Sequence, residues 1–165
     1  HTVFATVDRG GGAAVTGEFE ADIRAHIERY RMAGHDVEID GPQFVALEIE
    51  LHVCVAPEHF RSDVERELLD VLSNRDLPDA RRGLFHPDNF TFAQPVYLSS
   101  IYAAAHQVAG VESVDVRTFQ RQGRPESSAL DNGRMDIGRL EIARLDNDRN
   151  FAEHGRLTIS LGGGK

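Results

Sequence analysis

The chain has 165 residues, of which 41% are hydrophobic, enough for one globular domain, or one with a small appendage, that buries about 70% of its unfolded surface. Lys and Arg number 18 against 27 Asp and Glu, a formal net charge of -9, which opposes a phosphate-tracking surface, so nucleic acid is not an expected partner. Cys54 is the only cysteine, which excludes an internal disulfide and points to a reducing folding compartment; no apolar run approaches the ~20 residues that span a bilayer, and no charged start followed by an apolar stretch marks a signal peptide.

The chain starts at His1, without an initiating Met, directly in an apolar alternation of Val3, Phe4 and Val7, so we expect a segment cut from a longer polypeptide. Residues 2–8 read as a strand that Gly10, Gly11 and Gly12 interrupt. Phe19, Ile23, Ile27 and Tyr30 then recur at the spacing of one helical face, which Gly34 closes. Residues 36–40 form a short second strand, and Gly41 and Pro42 a turn. The strongest periodicity follows: Val45, Leu47, Ile49, Leu51, Val53 and Val55 alternate with Ala46, Glu48, Glu50, His52 and Cys54, a long strand with one buried and one polar face. Pro57 suits the first turn of a helix that turns Phe60, Val64, Leu68, Val71 and Leu72 inward.

Periodicity lapses over 73–95, where turn formers such as Asn74, Pro78, Gly83 and Pro87 are interspersed with Phe85, Phe90 and Phe92. A connection this long is functional, packed by its own aromatics, or hides a short hairpin. Leu98, Ile101, Ala105 and Val108 mark a third helix closed by Gly110, and 111–119 reads as a strand. A second polar stretch runs from 120 to 136 through Gly123, Pro125, Ser127, Ser128, Asn132 and Gly133, before late strands at 139–145 and 156–161. Because the strand at 43–55 has a polar face, the expected fold is α+β, with open mixed or antiparallel sheets, helices on one face and long loops. We expect one unit over 1–165, with two α+β subdomains at about 1–56 and 57–165.

Several residue sets carry possible chemistry. Glu48, Glu50, His52 and Cys54 are zinc-ligand types at spacing two on one strand face. Successive positions on that face lie about 7 Å apart, so a tetrahedral site needs ligands from elsewhere, and a solvated or partner-facing surface is the simpler reading. Asp146, Asp148 and Asn150 open like a calcium loop, but Phe151 stands where Gly is needed and Leu157 where a bidentate Glu is needed, which favours an Asx-rich turn. The glycine runs at 10–12 and 162–164 lack the order of a phosphate loop, and no nucleophile elbow or metalloprotease helix occurs. His26, His35, His59, His86 and His106 stand without a pairing motif. No catalytic, metal-ligating or cofactor-binding residue is assigned, and no cofactor is expected. Arg81 and Arg82 beside Phe85, with Phe90 and Phe92, form a candidate partner interface, since arginine and aromatic residues anchor interfaces. The alternative is that the three phenylalanines pin the long loop to its own domain.

The order of segments resembles the baseplate J-like family, in its baseplate assembly protein branch, as a C-terminal region. The resemblance runs from TVFATVD at 2–8 to LGGGK at 161–165, and is carried by RYRMAGHDVEIDGP at 29–42, SNRDLP at 73–78, GLFHPDNFTF at 83–92 and LEIARLDND at 140–148. It implies a structural, non-enzymatic wedge subunit of a contractile phage-tail-like injection system with sixfold symmetry. It further implies assembly in the bacterial cytoplasm, in some systems followed by release, with wedge, hub and sheath-proximal proteins as partners and no membrane insertion. The family supplies no catalytic residue to transfer. On this reading, loops 73–95 and 120–137 are expected to order only on assembly. Two further readings are a small-molecule-binding regulatory α+β module, which needs a concave apolar pocket, and a metal-dependent hydrolase built on Glu50, His52 and a carboxylate near Asp146.

Overall fold

The computed structural model describes residues 1–124 and 128–165. Its central element is β3 (Gln43–Val55), whose six odd-numbered apolar residues from Val45 to Val55 are all buried. Neighbours along a strand point to opposite faces, so this alternation leaves Glu48, Glu50, His52 and Cys54 on the other, half-buried face. The 3.3 to 3.4 Å rise of a strand makes β3 about 43 Å long, and both of its edges are paired.

Along one edge, β5 (Val111–Arg121) runs antiparallel, with irregularities between Glu50 and Leu51 and between Cys54 and Val55. Along the other edge lie two strands end to end, both parallel to β3. These are β7 (Glu141–Arg144), opposite Gln43 to Ala46, and β8 (Arg156–Gly163), opposite Glu48 to Val55. Between them residues 145–155 leave the sheet and return at Gly155. There φ is 101° and a Cβ would stand 2.9 Å from Arg144 O and 3.0 Å from Leu47 O, so the return point requires glycine.

Helices α2 (Arg61–Val71) and α3 (Leu98–His106) cover the apolar face of the sheet, inserting Val64 and Leu68 from one and Ile101 and Ala105 from the other. Phe119, Leu145 and Leu157 complete the core from β5, the start of the excursion and β8. Helix α2 starts at Arg61, so Pro57 lies in the turn before it and not in its first turn. Phe60 occupies the extended N-cap position and is 57% exposed, with the Lys165 ammonium 6.0 Å from its ring, so it does not join the inward face. Further elements are β4 (Val96–Tyr97), α4 (Ala129–Asn132) and β6 (Arg134–Met135), with β4 and β6 antiparallel and Gly133 ending α4 at a φ of 65°. Of the polar stretch at 120–136, Pro125, Glu126 and Ser127 lie outside the described residues.

The first forty residues form a separate small layer. β1 (Thr2–Thr6) and β2 (Asp36–Asp40) pair in parallel, and α1 (Gly17–Ile27) connects them, capped by the Thr16 hydroxyl, which accepts the Phe19 N–H at 3.4 Å. Helix α1 ends at Ile27, and the Tyr30 N–H closes a tighter turn onto Ile27 O at 2.9 Å. Tyr30 is therefore 77% exposed, beyond the helical face its spacing suggests. The architecture is α+β with open mixed sheets and helices on one face, as the polar face of β3 implies. The main sheet crosses position 56, since β3 precedes it and all three of its partners follow.

At one end of the sheet Arg121 ties β5 to β7. Its two terminal nitrogens donate to the two Glu141 oxygens at 3.1 and 2.7 Å, and it also donates to Asp136 O at 2.9 Å. These bonds, joined by the Gly138 N–H, hold the Glu141 carboxyl below the usual glutamate range against the opposing effect of burial. A depressed folded value contributes stability that is present above the unfolded value and is lost as pH falls through the folded one. Acid titration of unfolding free energy is thus expected to be flatter at its acid end in Glu141→Gln, and an unchanged acid limb would remove this role. In the core, Leu51→Ala is expected to cost roughly 3 to 5 kcal/mol in urea unfolding, because β3 is paired on both edges and cannot move to fill the cavity.

Candidate interaction surface

The segment 73–95 is held by its own turn chemistry. Asp76 and Arg82 form an antiparallel bridge, Leu77 N–H donates to Arg81 O at 2.8 Å, and Pro78 opens the turn between them. This is the short hairpin that the lapse in periodicity concealed. Gly83 then passes so close to the end of α2 that a Cβ there would meet Ser73 O at 2.2 Å.

Beyond it, Phe85 is 3% exposed and stacks on Phe90 with ring centroids 6.0 Å apart. His86 is also buried; its Nδ1 accepts the Asp88 N–H at 3.2 Å, which puts the ring proton on Nε2, 3.4 Å from Asp76 Oδ1. The segment thus packs Leu84, Phe85 and Phe90 on the core of its own chain.

The five predicted interface residues are accordingly divided. Phe85 is a core residue, and Phe90 and Phe92 are partly buried. Arg82 is half-exposed and reaches Asp88 at 3.2 Å and Asp76 at 3.7 Å. Arg81 is exposed. Phe85 and Phe90 pin the loop, leaving the arginines as its outward surface.

On the polar face of the sheet, side chains pair across strands instead of converging. Gln120 donates to Glu48 at 2.7 Å, Thr118 to Glu50 at 3.3 Å, and His52 Nδ1 lies 2.9 Å from Ser160 Oγ, whose hydroxyl donates to Leu51 O at 3.2 Å. Among the described residues, no three His, Cys, Asp or Glu side chains are grouped to hold a metal ion. The excursion at 145–155 uses its acids structurally. Asp146 accepts from Arg144 Nε at 2.8 Å and Asn74 at 3.1 Å, Asp148 accepts the Asn150 N–H at 2.8 Å, and Asn147 accepts the Leu157 N–H at 3.0 Å. This is the Asx-rich turn expected there.

The small N-terminal layer meets the main sheet at a joint built on a glycine turn. Gly11 N–H donates to Asp88 at 2.6 Å, and Gly12 lies against Pro87. A cleft of about 110 Å³ remains between Asp8, Phe44, Asn74, Phe85, Ile142 and Arg144. Burial first, and the Asp88 charge second, raise the Asp8 carboxyl above its usual range. The Gly11 N–H is the main cause that lowers Asp88. The surface that sequence reasoning missed is apolar. Phe4, Tyr30 and Met32, all in the N-terminal layer, are 70% exposed or more.

The geometry defines an α+β domain with an open sheet and polar side-chain ladders. Comparison of the chain with models of known protein families and with curated proteins returns no match.

If Phe85 pins the long loop and Arg82 only decorates it, truncation separates them. Phe85→Ala is expected to lose about 3 to 5 kcal/mol in urea unfolding, and Arg82→Ala less than about 1 kcal/mol. Equal losses would contradict this division.

Proposed function

We propose that the chain is a structural element of the baseplate of a contractile phage-tail-like injection system, acting by protein-protein assembly and not by turnover. Its partners on this reading are wedge, hub and sheath-proximal proteins of a sixfold particle assembled in the bacterial cytoplasm. The observation that carries the proposal joins sequence to geometry. Four of the stretches that resemble the baseplate J-like family, at 2–8, 73–78, 83–92 and 140–148, meet at the joint between the N-terminal layer and the main sheet. Asp8, Asn74, Phe85, Pro87 and Arg144 from those four stretches line its cleft. Residues that fix the angle between two layers are what a scaffold part requires, because its neighbours bind a shape and not a reacting centre.

The regulatory-module reading is less well supported by the same cleft. At about 110 Å³ it falls short of the roughly 300 Å³ at which small-molecule sites begin, and the larger depression of about 590 Å³ beside Phe44, Arg121, Arg124, Glu141 and Glu153 is open and bordered by charged side chains instead of being an enclosed apolar pocket. Deleting the segment equivalent to residues 1–165 in a producing bacterium is expected to abolish sheathed particles, or to leave free inner tubes without baseplates, in negative-stain micrographs. Normal particles that still contract would overturn the proposal.

A further inference from the structure

Every sheet leaves outer strands whose unpaired backbone groups can capture another chain, and native proteins blunt such edges. Apart from the two-residue pair of β4 and β6, the sheets of the described residues have four outer edges, those of β1, β2, β5 and the line of β7 and β8, and three of them carry a side-chain plug. On β2, the Arg24 guanidinium donates to Val37 O at 2.5 Å. On β5, the Tyr102 hydroxyl receives the Val116 N–H at 3.4 Å. On β8, Asn147 takes the Leu157 N–H at one end and Arg61 reaches Gly163 O at the other.

The outer edge of β1 has no such plug. Asp36 N–H donates to His1 O, and Val7 N–H donates to Asp40 O, both at 2.9 Å. The odd-numbered residues of β1 therefore turn their backbone groups toward β2, and Thr2, Phe4 and Thr6 turn theirs outward. Among the described residues, nothing bonds those outward groups. Cover is thin on both faces as well, because α1 leans on β2. Val3 is 48% exposed on the helix side and Phe4 70% exposed on the other. A two-stranded parallel sheet open in this way is an unusual end state, since parallel strands are normally buried on both faces.

We propose that the outer edge of β1 takes up an extended strand from a neighbouring protein, in which basic side chains alternate with apolar ones. The hydrogen-bonding groups at Thr2, Phe4 and Thr6 specify a strand. The alternation follows from the two faces. On the side of α1 the added strand would lie beside Val3 and Ala5, which calls for apolar residues. On the opposite side it would lie beside Phe4, whose direct neighbour on β2 is Glu38, flanked by the exposed Asp36 and Asp40. An arginine or lysine there can lie across the Phe4 ring and point its charge at Glu38, combining a cation-π contact with charge attraction. The formal charge of -9 favours the same sign of partner at long range.

This inference rests on the assembly reading and names the contact and the chemistry of its partner. The test uses a synthetic peptide of alternating valine and arginine added to the protein, read by amide hydrogen exchange. Binding at the edge is expected to slow exchange at Thr2, Phe4 and Thr6 by about tenfold or more.

Phe4→Pro removes one outward N–H and leaves the bonds to β2 intact, since proline is tolerated on an edge strand. It is expected to abolish the protection, whereas Phe4→Ala, which keeps the N–H, is expected to weaken it only partly. If Phe4→Pro fails to fold, Glu38→Lys serves in its place and is expected to weaken binding of the arginine peptide.

Unslowed exchange would overturn the inference, as would equal protection by a valine-glutamate peptide. So would concentration-dependent dimers of the protein alone that Phe4→Pro dissolves, because the occupant would then be a second copy. Failure of the peptide with loss of particles on deletion removes only this contact. Peptide binding with normal particles removes the assembly reading and keeps the edge.

Discussion

Strand β3 is the constraint on which the remaining structure depends. Its thirteen residues give the main sheet both its faces, and among the described residues β5, β7 and β8 pair with no other strand. The helices have nothing to cover until β3 presents its row of aliphatic side chains, and the side-chain ladders of the opposite face exist only because β3 sits between β5 and β8. A strand in this position buries its apolar groups and satisfies its backbone at the same time, which is why its pattern is so regular.

That regularity explains what could be read from the sequence. The alternation from Val45 to Val55 states both the strand and its two faces, and the apolar spacings of α2 and α3 place Val64, Leu68, Ile101 and Ala105 inward. Periodicity gives no end point, however. Tyr30 and Phe60 continue the spacing of α1 and α2 yet lie outside them, because helix termini are set by local backbone bonds and caps and not by apolar repeat. The phenylalanines at 85, 90 and 92 were ambiguous for a different reason: in an irregular segment nothing in the spacing tells an inward ring from an outward one, and stacking of Phe85 on Phe90 decides it. Pairing of β7 and β8 on one edge was also beyond reach, since parallel partners lie about a hundred residues from β3 and share no local signal with it. Least legible was the outer surface of the N-terminal layer, because an exposed Phe4 and a buried one read alike in an alternating strand.

The joint between the two layers is narrow. It rests on Gly11 and Gly12 against Pro87 and Asp88, with two carboxylates of opposite disposition beside each other. Asp88 is stabilised in its charged form by a backbone donor, whereas burial and the Asp88 charge work against the charged form of Asp8. The long loop at 73–95 thus has two duties: Phe85 and Phe90 face the core, and its turn at 87–89 carries the N-terminal layer. Its length follows from serving both.

The end-to-end arrangement of β7 and β8 has a mechanical consequence. Because β8 runs parallel to β3 over eight paired positions, a pull on the end of β8 against the start of β3 slides the two strands past one another. Every bond of that ladder then shares the load at once, whereas pulling strands apart sideways opens bonds one by one. The excursion between β7 and β8 is slack that can lengthen before β7 feels the same force. A domain wired in this way transmits tension along the axis of its longest strand and yields last at the element that holds it together.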